Sequence, residues 1–390
     1  MLQPLAVQTF LDEIWGVTHR HIKRSCVGYF DCLLPGAASV EDLVQVFRSE
    51  PSAVRLVRGH EKKGPENYRL ADGSLDVAAV HRDFADGYTI VLDSVERYAR
   101  AIALLAHSIE VELNYATQVN AYLTPPGSQG FLPHYDDHDV VILQVRGPKD
   151  WRLYDTVMPP HLMQRQEPVA VAGLRPPAEL RLEAGDVLYL PRGQVHAARA
   201  ISQPSIHLTV GIHAPTVYAL LARVLDSMSR RDDRLHTQLP PRHLDDADAR
   251  AGVSVLVRDL VTAFGDPGVL ADGLDALADL LVRRGRCPPV GPAIGAVAID
   301  GHTRVVKYQP LYSRVTTHPG GVALHFAQLS ITAGPDHEAA MLFVSRSTRP
   351  FRVGELPGLR AAQQTELART LITSGFLRRL PDGEGVQPPA

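Results

Sequence analysis

The middle of the chain alternates short β-rich runs with turns that contain proline or glycine. Such turns include Pro-Pro-Gly at residues 125–127 and Pro-Arg-Gly at residues 191–193. Many short strands separated in this way predict a β-sandwich or a β-barrel. The predicted strands cover residues 119–123, 140–145, 151–154, 180–182, 186–190 and 206–210.

Helical periodicity lies on both sides of this β-rich block. One apolar face runs through residues 95–111, and another runs through 217–228 with apolar residues at i, i+3, i+4, i+7, i+8 and i+11. Residues spaced in this way share one face of an α-helix. Two further helices are predicted near residues 246–264 and 269–284, so a helical part is expected to follow the β-rich part.

A proline-rich segment at residues 287–292 marks a boundary in the last third of the chain. Consecutive prolines sustain neither a helix nor a central strand, so we predict a linker there. A later helix is predicted from about residue 359 to 374, with Gly375 as its C-cap. The tail from 381 to 390 is predicted to be disordered. Strands are predicted between the linker and this helix at 303–308, 321–326 and 341–344.

Composition and charge exclude several classes of protein. The chain has 390 residues, 45% of them apolar, which is enough for two or three domains with hydrophobic cores. Its 40 basic and 43 acidic residues give a net charge of −3, which exerts no general pull toward nucleic acid or anionic membranes. Three cysteines form neither a disulfide framework nor a zinc ribbon. Asp12 and Glu13 interrupt any signal peptide, and no run of about 18 uncharged apolar residues occurs, so we expect a cytoplasmic protein without a membrane span.

The segment at residues 120–144 contains the first candidates for chemistry. It carries His134 and Asp136, followed by Asp137. On a strand, residues i and i+2 project from the same face, so we expect His134 and Asp136 to point inward together and Asp137 to point away. An isolated His-x-Asp spacing also arises by chance, so the interpretation depends on a further ligand.

His196 supplies that further ligand. It ends the run Gly-Asp-x-Leu-x-Leu-Pro-x-Gly-x-x-His at residues 185–196, which is typical of the hairpin that closes a cupin barrel. Two histidines and one carboxylate on one face of a metal, with the opposite face open, are the arrangement of non-haem iron(II) oxygenases. The open positions are what chelation of a 2-oxo acid and binding of dioxygen require.

Two motifs carry a resemblance to a known family. Residues 120–137 read Asn-x-Tyr-Leu-Thr-Pro-Pro-x-Ser-Gln-Gly-Phe-x-Pro-His-Tyr-Asp-Asp, and residues 143–154 read Leu-Gln-x-x-Gly-x-Lys-x-Trp-Arg-x-Tyr. With residues 183–210, they resemble the JmjC-type ribosomal oxygenases, also called the cupin-4 family, and the resemblance extends more loosely over nearly the whole chain. It implies an α+β fold in which a double-stranded β-helix, the cupin or JmjC barrel, precedes a helical dimerisation region and a winged-helix domain. The implied domains are residues 1–213, 214–289 and 290–390.

The resemblance also implies the roles of individual residues. The catalytic metal triad of the family falls on His134, Asp136 and His196. The family's basic residue for the distal carboxylate of 2-oxoglutarate falls on Lys149. One ammonium group in an apolar barrel can hold one carboxylate by a charge-assisted hydrogen bond. Without the resemblance, Lys149 would be interpreted as a solvated lysine beside a turn.

Other residues are secondary candidates. Those for cofactor binding are Asn120 and Thr209, which match family positions near the cosubstrate, and Gln144, which shares the predicted face of His134. An aromatic such as Tyr122 on an inward face is more often simple core. Two histidines remain open: His138 would contact substrate or form a polar rim beside Asp139, and His207 would either contact substrate or support the site by hydrogen bonding.

The function implied by the resemblance is hydroxylation of a ribosomal protein, on a histidine or arginine side chain, with Fe(II) as cofactor and 2-oxoglutarate and dioxygen as cosubstrates. Three alternatives stay open. The chain could be a tailoring hydroxylase of a biosynthetic peptide or free amino acid, or a regulator that resembles a histone demethylase. It could also be a cupin that binds metal without turnover, against which Lys149 and the segment around Asn120 argue.

The accessory regions bear on the partners. Helices between residues 216 and 284 resemble the family's dimerisation region, so we expect a homodimer; a helical cap on the chain's own barrel is the alternative. Residues 293–380 resemble a winged helix. Its later helix offers mainly Arg360 and Arg369, balanced by Glu366, whereas a helix that reads the major groove presents several basic or amide side chains. Nucleic-acid binding is therefore not expected.

Overall fold

The computed structural model forms two compact units and describes residues 1–34, 40–159, 168–287 and 298–381. The first unit comprises residues 1–109 and 115–214. The second comprises residues 110–114 and the chain from residue 215 onward. Each unit has a hydrophobic core of its own.

Antiparallel strands dominate the chain up to residue 214. The helices here are α1 Val7–Thr9, α2 Val40–Val46, α3 Val77–Ala85 and α4 Arg100–Leu113. The strands are β1 Arg20–Ile22, β2 Val54–Arg58, β3 Glu61–Lys63, β4 Thr89–Leu92, β5 Ala116–Thr124, β6 Asp139–Arg146, β7 Lys149–Val157, β8 Ala178–Leu182, β9 Val187–Leu190, β10 Gln194–Arg199 and β11 Ser205–His213. The strands predicted from the β-rich runs coincide with β5 to β9 and β11.

These strands form two sheets that pack face to face. The larger sheet has the order β1-β9-β6-β11-β5-β4-β2-β3, and the smaller one has the order β10-β7-β8. Side chains of both sheets share one core, in which Ile142 and Leu188 of the larger sheet meet Trp151 and Leu153 of the smaller one. Apolar side chains on the facing surfaces drive this packing. The predicted sandwich or barrel is therefore confirmed.

Strand β5 shows how the sequence divides the larger sheet into a core face and a cavity face. Its burial alternates, because Val119, Ala121 and Leu123 are buried while Gln118 and Asn120 are half-buried. Successive side chains of a strand project to opposite faces, so the second set shares one face with Tyr122. Strand β11 lies between β5 and β6 and pairs with both.

The second unit combines helices with two small sheets. Its helices are α5 Val217–Ser229, α6 Ala247–Ala263, α7 Pro267–Arg284, α8 Glu338–Arg346 and α9 Ala361–Thr373. Its strands are β12 Arg304–Lys307, β13 Ser313–His318, β14 Gly321–Phe326, β15 Leu329–Ala333, β16 Phe351–Arg352 and β17 Leu377–Arg379, in the orders β16-β12-β17 and β13-β14-β15. None of the described helices has both the length and the apolar character that crossing a membrane requires.

Most predicted helices are present in the structure. One of them begins later than predicted, and one predicted strand is part of a helix. The helix predicted from residue 95 begins only at Arg100, after a single 3-10 turn. The strand predicted at 341–344 lies inside α8, where Met341 and Val344 are buried on one helical face. A four-residue apolar run fits a strand and a helix equally well, so periodicity could not separate them. The prolines of the predicted linker beyond residue 287 and the tail beyond residue 381 lie outside the described residues.

Candidate active site

A two-way backbone bridge joins His134 to His196. The N–H of His134 donates to the carbonyl of His196 at 3.0 Å, and the reverse bond is 2.8 Å. The N–H of Gly193 donates to the carbonyl of Asp136 at 2.8 Å. The prediction that His134 and Asp136 share a strand face is wrong, because both lie in the connection between β5 and β6, which begins only at Asp139. The bridge to β10, and not strand parity, brings the three side chains together.

The three side chains form a cluster that fits a divalent metal. Their candidate ligand atoms lie within 4.8 Å of one another, and Nε2 of His196 is 3.7 Å from Oδ2 of Asp136. Each imidazole donates Nδ1–H to a backbone carbonyl, of Leu132 at 2.8 Å or Gln194 at 2.9 Å, which leaves Nε2 as the coordinating nitrogen. Burial and the neighbouring His134 ring lower the pKa of His196 to about 4, so its lone pair is available at neutral pH.

An inner cavity extends from this cluster between the two sheets. Its walls combine polar side chains with apolar and aromatic ones, which include Phe131, Ile142 and Trp151. Lys149 and His207 supply polar groups deeper in the lining. A cavity that has a three-ligand cluster and a buried cation suits a small anionic chelator.

Lys149 is a buried cation, and within the described residues no acidic side chain pairs with it. Its Nζ donates to Oγ1 of Thr124 at 2.8 Å and lies 3.4 Å from Nδ1 of His207. Burial lowers the pKa of Lys149 to about 7. A buried ammonium with only neutral neighbours is costly unless an anion joins it, which makes it a strong candidate to bind one.

An outer cavity opens from the same cluster toward solvent. Asn120 lines it, and its Oδ1 accepts the backbone N–H of Ser94 at 3.0 Å. Thr209 pairs with Asn120 across the sheet and lines both cavities. The structure therefore brings these two secondary candidates close to the cluster.

Gln144 has a different position. It is fully buried, and its Nε2 donates to the carbonyl of Gly147 at 2.8 Å and to Oγ of Ser205 at 2.9 Å. These bonds brace the turn between β6 and β7. The described lining of the two cavities does not include Gln144, so the structure assigns it to the turn that precedes Lys149.

His138 and Asp139 separate, as strand parity suggested. His138 lines the outer cavity, with Nδ1 2.8 Å from the carboxylate of Asp137 and its ring stacked at 4.3 Å on His213. Asp139 is buried and accepts a hydrogen bond from the Tyr189 hydroxyl at 2.7 Å. His138 therefore faces the outer cavity, whereas Asp139 contributes to the barrel wall.

Tyr122, Thr124 and His207 share one face of the larger sheet at the site. Tyr122 lines both cavities and stacks on His207 at 4.7 Å with the rings nearly parallel. Burial and the nearby Asp136 raise the pKa of the Tyr122 hydroxyl to about 12, so it is neutral. Thr124, which contacts Lys149, was overlooked, although its strand parity with Tyr122 would have pointed to it.

Comparison with known proteins shows which family this chain resembles. Residues 98–220 match the JmjC domain family. These residues form a JmjC domain. The chain is 31% identical over 425 residues to the "bifunctional lysine-specific demethylase and histidyl-hydroxylase NO66" of Drosophila mojavensis, and 29% identical over 300 residues to "ribosomal oxygenase 2" of Rattus norvegicus. The resemblance to JmjC-type ribosomal oxygenases is thereby confirmed.

The extent of these matches differs. They cover 97% of this chain but 45% of the NO66 protein, and 72% of this chain and 61% of the rat protein. The chain thus spans less than two thirds of these relatives. Two structures of Escherichia coli YcfD, one of them described as a ribosomal oxygenase, share the fold at TM-scores of 0.62 and 0.57. Both are 18% identical to this chain and cover 96% of this chain and 98% of theirs. The JmjC barrel with mixed α and β content is therefore confirmed, while the winged helix and dimerisation region stay predictions.

Proposed function

We propose that this chain is an Fe(II)- and 2-oxoglutarate-dependent oxygenase that hydroxylates a protein side chain. One observation carries the proposal: His134, Asp136 and His196 converge at a cavity that also contains the buried ammonium group of Lys149. Among the described residues, no carboxylate pairs with that ammonium group. Three metal ligands and a cation in one pocket suit a dicarboxylate that chelates the metal through one end and pairs with the cation through the other. The JmjC domain supports the same chemistry.

The residues present would hold the metal and the cosubstrate as follows. Nε2 of both histidines and one carboxylate oxygen of Asp136 would bind Fe(II) and leave the opposite face open. Lys149 would receive the distal carboxylate of 2-oxoglutarate. Iron and 2-oxoglutarate, when bound, would supply the oxidation of one substrate C–H bond by dioxygen, with release of succinate and carbon dioxide.

The chain's own contribution is position and exclusion of water. The backbone bridge and the carbonyl partners of the imidazoles orient the ligands before the metal arrives. Lys149 is buried beside apolar side chains such as Ile142 and Trp151, and the low local dielectric strengthens its attraction to a carboxylate. The outer cavity offers room for a substrate side chain beside the three metal ligands.

The proposed substrate is a ribosomal protein or a similar peptide, hydroxylated on a histidine or an arginine. The name of the NO66 relative contains "histidyl-hydroxylase", and the rat relative is called a ribosomal oxygenase. The outer cavity opens to solvent beside the three metal ligands, so a side chain of a peptide can enter it. A cytoplasmic location would bring such an enzyme to its substrate.

The decisive experiment measures succinate formed from 2-oxoglutarate by anaerobically iron-loaded protein, with and without purified ribosomal proteins. We expect one ribosomal protein to stimulate turnover in the wild type and not in His134→Ala. Mass spectrometry should then find one added oxygen on a histidine or arginine.

The rival functions give different results in the same assay. Turnover on free amino acids or small biosynthetic peptides alone would indicate a tailoring hydroxylase. Formaldehyde release from a methyl-lysine peptide would favour the demethylase, an activity that the name of the NO66 relative also contains. Bound metal without any turnover would reject the oxygenase.

For the rest of the chain we propose the division into residues 1–213, 214–289 and 290–390, with a homodimer formed through the helices of the second part. Helix α5 supports the dimer, because several of its apolar side chains are exposed: Val217, Tyr218, Leu221 and Leu225. For the last part we propose a winged helix that contacts protein, since the basic Arg360 and Arg369 are balanced by Glu366.

A further inference from the structure

The ammonium group of Lys149 has a defined hydrogen-bond geometry. An ammonium carries three N–H donors. One donates to Thr124 Oγ1 at 2.8 Å, and a second is directed at Nδ1 of His207, 3.4 Å away. The third donor remains for the inner cavity, which Lys149 lines. Two neutral acceptors thus determine where that donor points.

The imidazole ring of His207 is fixed in place by its packing. Its side chain is buried, its ring stacks on Tyr122 at 4.7 Å, and the ring of Trp151 meets it edge to face at 5.6 Å. His207 pairs with Tyr122 across β5 and β11, so the backbone register maintains this stack. The ring therefore has one orientation, with Nδ1 toward Lys149.

The protonation state of His207 suits an acceptor. Burial, and then the charge of Lys149, lower the pKa of His207 well below its ordinary value. The ring is therefore neutral, and since Nδ1 faces an N–H donor, the proton of the ring resides on Nε2. A protonated ring at this distance would repel the ammonium.

We infer that His207, together with Thr124, is a positioning residue that orients the ammonium of Lys149 toward the distal carboxylate of the 2-oxo acid. The inference rests on the proposed function. It assigns His207 to support of the cosubstrate pocket and not to contact with the protein substrate. Without the two acceptors, the ammonium would lose its orientation, and the buried lysine would shed its proton.

The test compares the binding affinities of two 2-oxo acids under conditions that do not allow turnover. Calorimetry on full-length protein loaded with Mn(II) under anaerobic conditions compares 2-oxoglutarate with 2-oxopentanoate, which has a methyl group in place of the distal carboxylate. A charge-assisted hydrogen bond contributes about 1.5 to 3 kcal/mol, so we expect the wild type to prefer 2-oxoglutarate by roughly 10- to 100-fold. The ratio isolates the contribution of the distal carboxylate.

Two pairs of variants separate the acceptor from the packing. His207→Leu removes the acceptor, and we expect the preference to fall to about one tenth of the wild-type ratio, with the loss in the 2-oxoglutarate arm. His207→Asn keeps an acceptor near the position of Nδ1, and we expect it to restore most of the ratio. Thr124→Val and Thr124→Ser form the same contrast, and they carry the test if His207→Leu does not fold.

The possible results separate the proposed function from the inference about His207 and Thr124. A wild-type protein that binds both acids equally would reject the proposed function and the inference together. A wild-type preference that persists unchanged in His207→Leu and Thr124→Val would overturn the inference alone. A loss in both members of each pair, including His207→Asn and Thr124→Ser, would indicate packing and would also overturn it.

Discussion

At the scale of single residues, burial decides how Lys149 behaves. Its ammonium is surrounded by neutral groups, and its pKa falls from 10.5 to about 7. Between those pH values the unfolded chain binds one proton more than the folded chain, so this group makes stability rise with pH. Below pH 7 both states are charged, and the full desolvation cost of at most about 5 kcal/mol opposes folding.

Lys149→Met should therefore stabilise the apoprotein at pH 6 and should do so less at pH 9. We expect wild-type stability to gain about 2 to 3 kcal/mol from this group between pH 6 and pH 9, and the variant to lack that gain. Urea unfolding of both proteins at the two pH values measures the difference. An identical pH dependence in both proteins would show that Lys149 does not titrate in this range.

Gly211 has a residue-scale role of a different kind, because it provides space for His138. A Cβ added at Gly211 would lie 2.7 Å from Nε2 of His138, so the ring would have to move out of the outer cavity wall. We expect Gly211→Ala to reduce kcat/KM for the peptide substrate about tenfold, a loss of about 1.4 kcal/mol in transition-state binding.

A double-mutant cycle provides the check. If Gly211→Ala acts through His138, its effect should vanish in a His138→Ala background, so the two losses should not add. Gly252→Ala is a matched control, because nothing lies within 4 Å of the added methyl group on α6. Fully additive losses would show that Gly211 acts on something other than His138.

At the scale of elements, the turn between β6 and β7 connects barrel geometry to the site. Gln144 braces the turn, and Lys149 begins the strand that follows it. Gly147 has a φ of +60°, and a Cβ there would lie 2.0 Å from the carbonyl oxygen of Pro204. The turn thus needs glycine both for its backbone conformation and for close contact with the segment before β11.

Gly147→Ala should consequently destabilise the protein by about 2 to 4 kcal/mol, since left-handed strain and a backbone clash act together. Gly127→Ala is the control, because Gly127 has a φ of +71° but open space around it, so only about 1 to 2 kcal/mol of strain is expected. Urea unfolding of the two variants compares them. Equal losses would mean that the clash with Pro204 is relieved elsewhere.

At the scale of the whole molecule, the helices of the second unit expose apolar side chains that a partner surface would cover. Val217 and Tyr218 of α5 are 73% and 82% exposed, and apolar side chains of α6 and α7 are exposed as well, among them Val261 and Leu274. Monomeric proteins rarely leave an extended apolar surface in water. A second copy of the chain is the occupant that we propose.

Sedimentation over a range of concentrations should give the mass of a dimer for the wild type. We expect the double variant Tyr218→Glu with Leu221→Glu to give the mass of a monomer, because each charge would be buried unpaired in the interface. Arg223→Glu reverses a charge elsewhere on the exposed surface of α5 and should leave the mass unchanged. A monomer mass for the wild type at every concentration would exclude the homodimer.

Much of this molecule could be predicted from local patterns. Turn residues between short β-rich runs indicated the strands of the barrel, and spaced apolar residues indicated α5, α6 and α7. Motif spacing singled out His134, Asp136 and His196, whereas Lys149 was indicated only by the family resemblance. The structure brings all four to one cavity. These features were accessible because the period of a strand, the period of a helix and the ligand preference of a metal are local or chemical properties.

Only the tertiary structure decided which side chains act together. His134 and Asp136 are aligned by backbone bonds to a hairpin distant in sequence, and the contacts of Lys149 with Thr124 and His207 join β7 of one sheet to β5 and β11 of the other. Such contacts depend on strand order and on how two sheets face each other, which no local pattern encodes. The sequence by itself therefore determined the chemistry available to the site, while the packing of the two sheets determined its geometry.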